Sequence, residues 1–213
     1  MVLISHKHKF IFFKTLKTAG SSVESFFGRY CCDPNDKYEY TDEIDEKISK
    51  YGVIGGRLRG KHTKWYSHKK AVNIKRDMNK DRFKDYFKFT IVRNPWDKMV
   101  SQYYWLNKKA PFKQFIKNNR DKFRDENWNI YSINDTPVCD YYIRYENLEE
   151  DIKKVCELVG ITDYDLNLLP KHKSGIRDNS KHWRDHYDEE TKKIVFEDNL
   201  KEILYFKYRF NEL

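Results

Sequence analysis

The chain has 213 residues, enough for one well-packed domain and short for two. Charged residues make up 35% of it, but 16% are aromatic, which supplies core-forming material and excludes a disordered chain. The 42 Lys and Arg against 33 Asp and Glu leave a formal charge of +9, which favours an anionic partner without choosing among nucleic acid, acidic glycan, phosphate-bearing cofactor and membrane surface.

The opening MVLISHKHKFIFF holds no sustained apolar leader, because His6, Lys7, His8 and Lys9 interrupt it. No run approaches the roughly 18 apolar residues that cross a bilayer, so no membrane span is expected. Cys31, Cys32, Cys139 and Cys156 form no C-x-x-C pair, and reduced thiols in a cytoplasmic protein are the plain reading.

A first strand reads 9-KFIFFKT-15, nearly continuous in hydrophobicity, as buried parallel strands tend to be. After it Val23, Phe26 and Phe27 recur at helical spacing, and residues 33–45 read as a loop. A second strand, 86-YFKFTIVR-93, leads into 94-NPWDKMVSQYYWL-106, whose start signal is Asn94 as N-cap, Pro95 at the first helical position and Asp97 at the third. A third strand, 138-VCDYYIRY-145, turns at Tyr145 and Glu146 into a helix over 146–160. Leu148, Ile152, Val155, Cys156 and Val159 share one face of that helix, and Gly160 stops it. A basic loop over 171–187 precedes a last helix over 188–206, with a break near Asp198 and Asn199. This alternation predicts a single α/β domain over 1–213, with a central, mainly parallel sheet flanked by helices.

Both unusual segments, Lys17 to Ser22 and Arg93 onward, fall at the carboxyl ends of strands, where α/β sheets bind ligands. A strand, a tight Gly-containing turn and a helix N-terminus make an anion site of the P-loop kind. Gly20 lets a phosphate approach the backbone, Thr18, Ser21 and Ser22 offer hydroxyl donors, and Lys17 adds a full charge at the apex. An ordinary polar loop is the bland alternative. A Walker A loop places its lysine after a second glycine, whereas Lys17 precedes the single glycine by three residues, which disfavours a nucleotide kinase of that type. No G-x-G-x-x-G occurs.

The segment 14-KTLKTAGSS-22 resembles the 5′-phosphosulfate loop of sulfotransferases that use 3′-phosphoadenosine 5′-phosphosulfate (PAPS), in the K-T-A-G-[ST]-S form of the carbohydrate sulfotransferases. The family's second element has an arginine at a strand end and a serine eight residues later, and 93-RNPWDKMVSQYY-104 matches it with Arg93 and Ser101. Similarity extends to 141–161 and 186–210. The resemblance implies that Lys14, Lys17, Thr18, Ala19, Gly20, Ser21 and Ser22 hold the 5′ end of the cofactor. It implies that Arg93 and Ser101 hold the 3′-phosphate, and that Lys173 and Arg177, with Lys171 and Ser174, belong to a loop closing over the nucleotide. It also implies PAP as product and a hydroxyl-bearing acceptor. A saccharide is the expected acceptor, with peptide tyrosine and small alcohols as alternatives.

Sulfuryl transfer needs stabilisation of charge on the leaving phosphate, and Lys17 is placed for that role; no visible carboxylate cluster calls for a metal. The acceptor proton needs a base, and His62, in a K-H-x-[TS] element similar to one in related enzymes, is the candidate, with His68 and Glu24 as competitors. Trp65, Trp96 and Trp183 are candidates to stack a base or sugar ring, or else belong to the core. A nucleic-acid-binding module is the reading from another class, although no reading helix, zinc finger or aromatic RNA platform is recognisable.

Overall fold

Four consecutive apolar residues, Phe10 to Phe13, can be stable only with both faces covered, and all four are fully buried in the computed structural model. The structure describes residues 1–36, 38–57, 63–106, 109–170, 172, 177 and 180–211. The chain begins with β1 (Leu3–Ser5), β2 (Phe10–Phe13), α1 (Gly20–Gly28), β3 (Lys47–Ile48) and β4 (Gly52–Ile54). It continues through α2 (Ala71–Asp77), α3 (Lys80–Asp85), β5 (Phe87–Val92) and α4 (Pro95–Leu106). Four short elements follow: α5 (Phe112–Asn118), α6 (Arg120–Phe123), α7 (Trp128–Tyr131) and the hairpin of β6 (Ser132–Ile133) with β7 (Thr136–Pro137). Last come β8 (Tyr141–Arg144), α8 (Leu148–Leu158), α9 (Glu189–Asp198) and α10 (Leu200–Phe206). These elements divide into two compact units, one of residues 1–92 and 129–172, the other of residues 93–128 and 173–213.

The first unit is built on a six-stranded sheet in the order β3-β4-β1-β2-β5-β8. The three strands read from sequence, β2, β5 and β8, pair in parallel, Phe12 opposite Phe89 and Ile91 opposite Ile143. The other half is antiparallel, β1 pairing with both β2 and β4, and β4 with β3. The sheet is therefore mixed. Its antiparallel strands run only two or three residues, too short for a period-2 pattern to stand out. The core beneath is aromatic: Phe89 stacks on Phe12 at 5.2 Å and meets Phe27 at 5.0 Å, and Phe10 meets Phe27 edge-on at 5.7 Å. On α8, Ile152, Val155 and Cys156 join this core, and Gly160 takes the left-handed φ of +68° that ends the helix.

The second unit packs helices around Trp96, Met99, Val100, Phe112, Phe115, Ile116, Phe123, Val195 and Ile203. Asn94 caps α4 through Oδ1, which accepts from the Trp96 N–H. The break between α9 and α10 falls at Asn199, whose Nδ2 donates back to the Val195 carbonyl while its Oδ1 accepts from the buried Lys98 ammonium at 2.9 Å. Lys98 also pairs with Glu202 at 3.5 Å. Among the described residues no helix is long and apolar enough to cross a membrane.

Phe89 lies at the crossing of the aromatic contacts. Phe89→Ala is expected to cost about 3–5 kcal/mol, read as a lowered urea midpoint with an unchanged slope.

Candidate active site

The loop after β2 is wound tightly without relying on its glycine. Lys17 and Ala19 take left-handed φ values of 59° and 63°, a conformation that is uncommon for residues with a Cβ and that concentrates at functional sites. Ala19 is the N-cap of α1 and brings no side-chain oxygen; its carbonyl accepts from Ser22 N at 2.9 Å. The N–H groups of Gly20 and Ser21 thus stand outside the helix's own ladder, at its positive end. Gly20 is required by packing: a Cβ there would lie 2.9 Å from Lys14 Cγ and 3.2 Å from the Thr15 carbonyl. Thr15 Oγ1 donates to the Ile91 carbonyl at 2.5 Å, so Thr18 Oγ1, 2.8 Å away, is the donor in their pair. Thr18 therefore directs its hydroxyl proton into the protein, whereas sequence reasoning aimed it at the ligand. Lys17, half-buried, stands at the turn between Lys14 and Ala19.

Beneath the loop lies Glu24, with no exposed surface. Its carboxylate pairs with Lys14 at 2.7 Å, Arg57 at 2.6 Å and the Met1 amine at 3.1 Å. Burial alone would raise the Glu24 pKa, but the Met1 ammonium, Lys14 and Arg57 outweigh it and hold it at about 2. So weak a proton acceptor is removed from contention as the base. Lys14 also donates to Ser21 Oγ at 3.1 Å. The Arg57 guanidinium covers Tyr40 at 4.3 Å, and the His172 ring stacks on Tyr40 at 4.0 Å. Two groups so close to one ring centre occupy opposite faces, so Tyr40 is sandwiched. The His172 N–H donates to Ser22 Oγ at 3.3 Å, placing this sandwich beside the head of α1. Arg57 Nε and His172 Nε2 are buried without a partner among the described residues.

The second unit carries the other predicted cluster. Arg93, 7% exposed, donates through Nε to Asp97 Oδ2 at 2.8 Å, and Arg177 donates through NH1 to Asp97 Oδ1 at 2.6 Å. Ser101 lies half-buried on α4. Arg177 Nε is buried with no acceptor among the described residues, an unanswered donor of the kind an anion satisfies.

His62 and Lys173, with Lys171 and Ser174, lie outside the described residues. His68, half-buried and in a left-handed conformation, has Nδ1 2.9 Å from the Lys14 carbonyl, which can only accept, so Nδ1 carries the proton. Burial, then the Met1 amine and Lys14, depress its pKa to about 3, which makes it a weak base and a strut for Lys14. Trp65 and Trp96 are buried in the protein, the latter donating to the Lys192 carbonyl at 3.1 Å. Trp183 packs edge-on against Phe210 at 5.2 Å. Sequence reasoning missed Arg57, Tyr40 and His172, which carry no motif, and it read Asp97 only as a helix-start residue although its i,i+4 spacing from Arg93 signalled a pair.

His68 and Glu24 both have folded pKa values below their unfolded ones, so each contributes stability present above the unfolded pKa and lost as pH falls toward the folded value. Stability should decline from pH 6.5 toward 3 through His68, with a limiting slope of about 1.4 kcal/mol per pH unit, and Glu24 should add to the decline below about 4.5. Urea melts of the wild type and His68→Gln between pH 7 and 5 check this, the variant giving the flatter profile.

Comparison with known proteins identifies the family. The model of the sulfotransferase family matches residues 1–210, across both compact units. An uncharacterized protein of Archaeoglobus fulgidus is 35% identical over 107 residues, covering 44% of this chain and 83% of that relative. No solved structure matches at a significant level. With nearly its whole length matched, the chain belongs to the sulfotransferase family.

Proposed function

We propose that the protein moves a sulfuryl group from PAPS to an acceptor hydroxyl, that of a saccharide, by in-line displacement, its two units working as one sulfotransferase domain. The observation that carries this reading is the left-handed loop at Lys17 to Ala19, set over the head of α1 in a chain matched to the family from end to end. The residues suit the ligand: one cluster has Lys14 and Arg57 against the single carboxylate of Glu24, the other has Arg93 and Arg177 against Asp97, and each keeps an unanswered guanidinium N–H among the described residues.

On this reading the N–H groups of Gly20 and Ser21, with Lys17, Ala19 and the Ser21 and Ser22 hydroxyls, receive the 5′-phosphosulfate, and Lys14 braces the loop from below. Thr18 contributes through its backbone, its hydroxyl being turned to Thr15. Arg93 and Ser101, with Arg177 and Lys173, receive the 3′-phosphate. His62 takes the acceptor proton as the hydroxyl oxygen bonds to sulfur and the sulfur–oxygen bond to the 5′-phosphate breaks. Lys17 neutralises the charge that collects on the departing phosphate oxygen, giving PAP and a sulfate ester. No metal is assigned a role. The +9 charge favours an acceptor that is itself acidic.

Calorimetric titration with PAP, beside ATP and adenosine 5′-phosphate without magnesium, tests the reading. Micromolar or tighter PAP binding that discriminates against the other two is expected, and a folded sample that does not bind PAP would overturn it. Lys17→Ala should keep PAP affinity while turnover falls roughly 10²–10³-fold; a turnover equal to wild type would remove Lys17 from the chemistry.

A further inference from the structure

Asp97 divides its two oxygens between two arginines. Oδ2 accepts from Arg93 Nε at 2.8 Å and lies 2.7 Å from Arg93 NH2, both donors on one edge of the guanidinium converging on the one oxygen, while Oδ1 accepts from Arg177 NH1 at 2.6 Å. At the third position of α4 a carboxylate would ordinarily cap the helix, but Asn94 Oδ1 already accepts from Trp96 N. The Tyr187 hydroxyl, held close enough to feel Asp97, donates instead to the Trp96 carbonyl at 2.7 Å. Asp97 is thus 8% exposed and committed to the guanidinium groups.

We propose that Asp97 is a positioning residue that presets Arg93 and Arg177 as one two-headed clamp for a phosphomonoester dianion, so that neutralising it weakens recognition of that group although the site becomes more positive. The identity of the ligand, a nucleotide with a 3′-phosphate, rests on the sulfotransferase reading above.

Three observations support the clamp. Two guanidinium charges against one carboxylate leave the cluster at +1, still attractive to a dianion. An arginine side chain is rich in rotamers, and one already fixed by a carboxylate has less of that freedom to lose when the anion arrives. Arg177 Nε, buried and without an acceptor among the described residues, is a donor that the bridge holds in place and leaves unanswered. A carboxylate that merely opposed the ligand would have the reverse effect, since its removal would tighten phosphate binding.

The sign of the effect therefore decides the matter. Wild type and Asp97→Asn are titrated with PAP and with adenosine 5′-phosphate, and their thermal midpoints are compared. The expected result is a variant that loses PAP affinity about tenfold or more, about 1.4 kcal/mol, with adenosine 5′-phosphate affinity unchanged. PAP binding that is equal or tighter in the variant overturns the proposal, and so does a parallel loss for both ligands, the mark of a structural role. A wild type that binds the two ligands equally overturns the nucleotide reading itself, and the clamp with it. If Asp97→Asn does not fold, a cycle of Arg93→Lys and Arg177→Ala in chains that keep Asp97 answers the question. Losses of PAP affinity that fall short of multiplying support a shared brace, and independent losses overturn it.

Discussion

The arrangement of the first unit depends on one buried charge. A carboxylate without solvent contact is costly unless it is paired and hydrogen-bonded, and Glu24 is answered by Lys14, Arg57 and the Met1 amine. Meeting that demand draws Lys14 under the loop, and the aliphatic stem of Lys14 then fills the space where any residue larger than glycine at position 20 would place its Cβ. The same demand brings in Arg57, and with it Tyr40 and the carbonyl of Thr41. The identity of Gly20 and the placement of the aromatic segment therefore both trace to a glutamate that takes no part in the proposed chemistry.

The second unit repeats this arithmetic with different side chains. Asp97, like Glu24, is a buried acceptor outnumbered by cations, but here the cations are two arginines that share it through planar, directional hydrogen bonds. Lysine suits a site whose charge must follow a reacting atom, and paired guanidinium groups suit a site that must hold a group still. This difference is one reason to give the first cluster the transferring end of the donor and the second its anchoring phosphate.

The three parallel strands, the helix starting at Pro95 and the break at Asn199 were legible because each has a strong local cause: continuous apolar runs, an Asn-Pro start, and an Asn whose amide turns back on its own helix. The antiparallel strands were not, since three residues such as Leu3 to Ser5 become a strand only through partners at 10–12 and 52–54. The two clusters were legible as motifs but not as geometry. Spacing alone did not show that Gly20 answers to Lys14, that Thr18 turns inward, or that Glu24 is too strongly held to act as a base. Nothing in the sequence marked Arg57, which is defined by the fold that brings it 33 positions back to Glu24.

The mixed sheet has a consequence for the order of assembly. β1 and β2 are joined by a short turn and can pair as soon as residues 3–13 are available, whereas β2 and β5 must close a loop of more than seventy residues, at a higher entropic cost. β2 belongs to both pairings, and the loop that follows it is tied to the later one through the hydrogen bond from Thr15 to Ile91. A chain that has formed only its local hairpin therefore has the strand but not the finished loop. On a growing chain, the loop can take its finished form only after residue 92 has emerged.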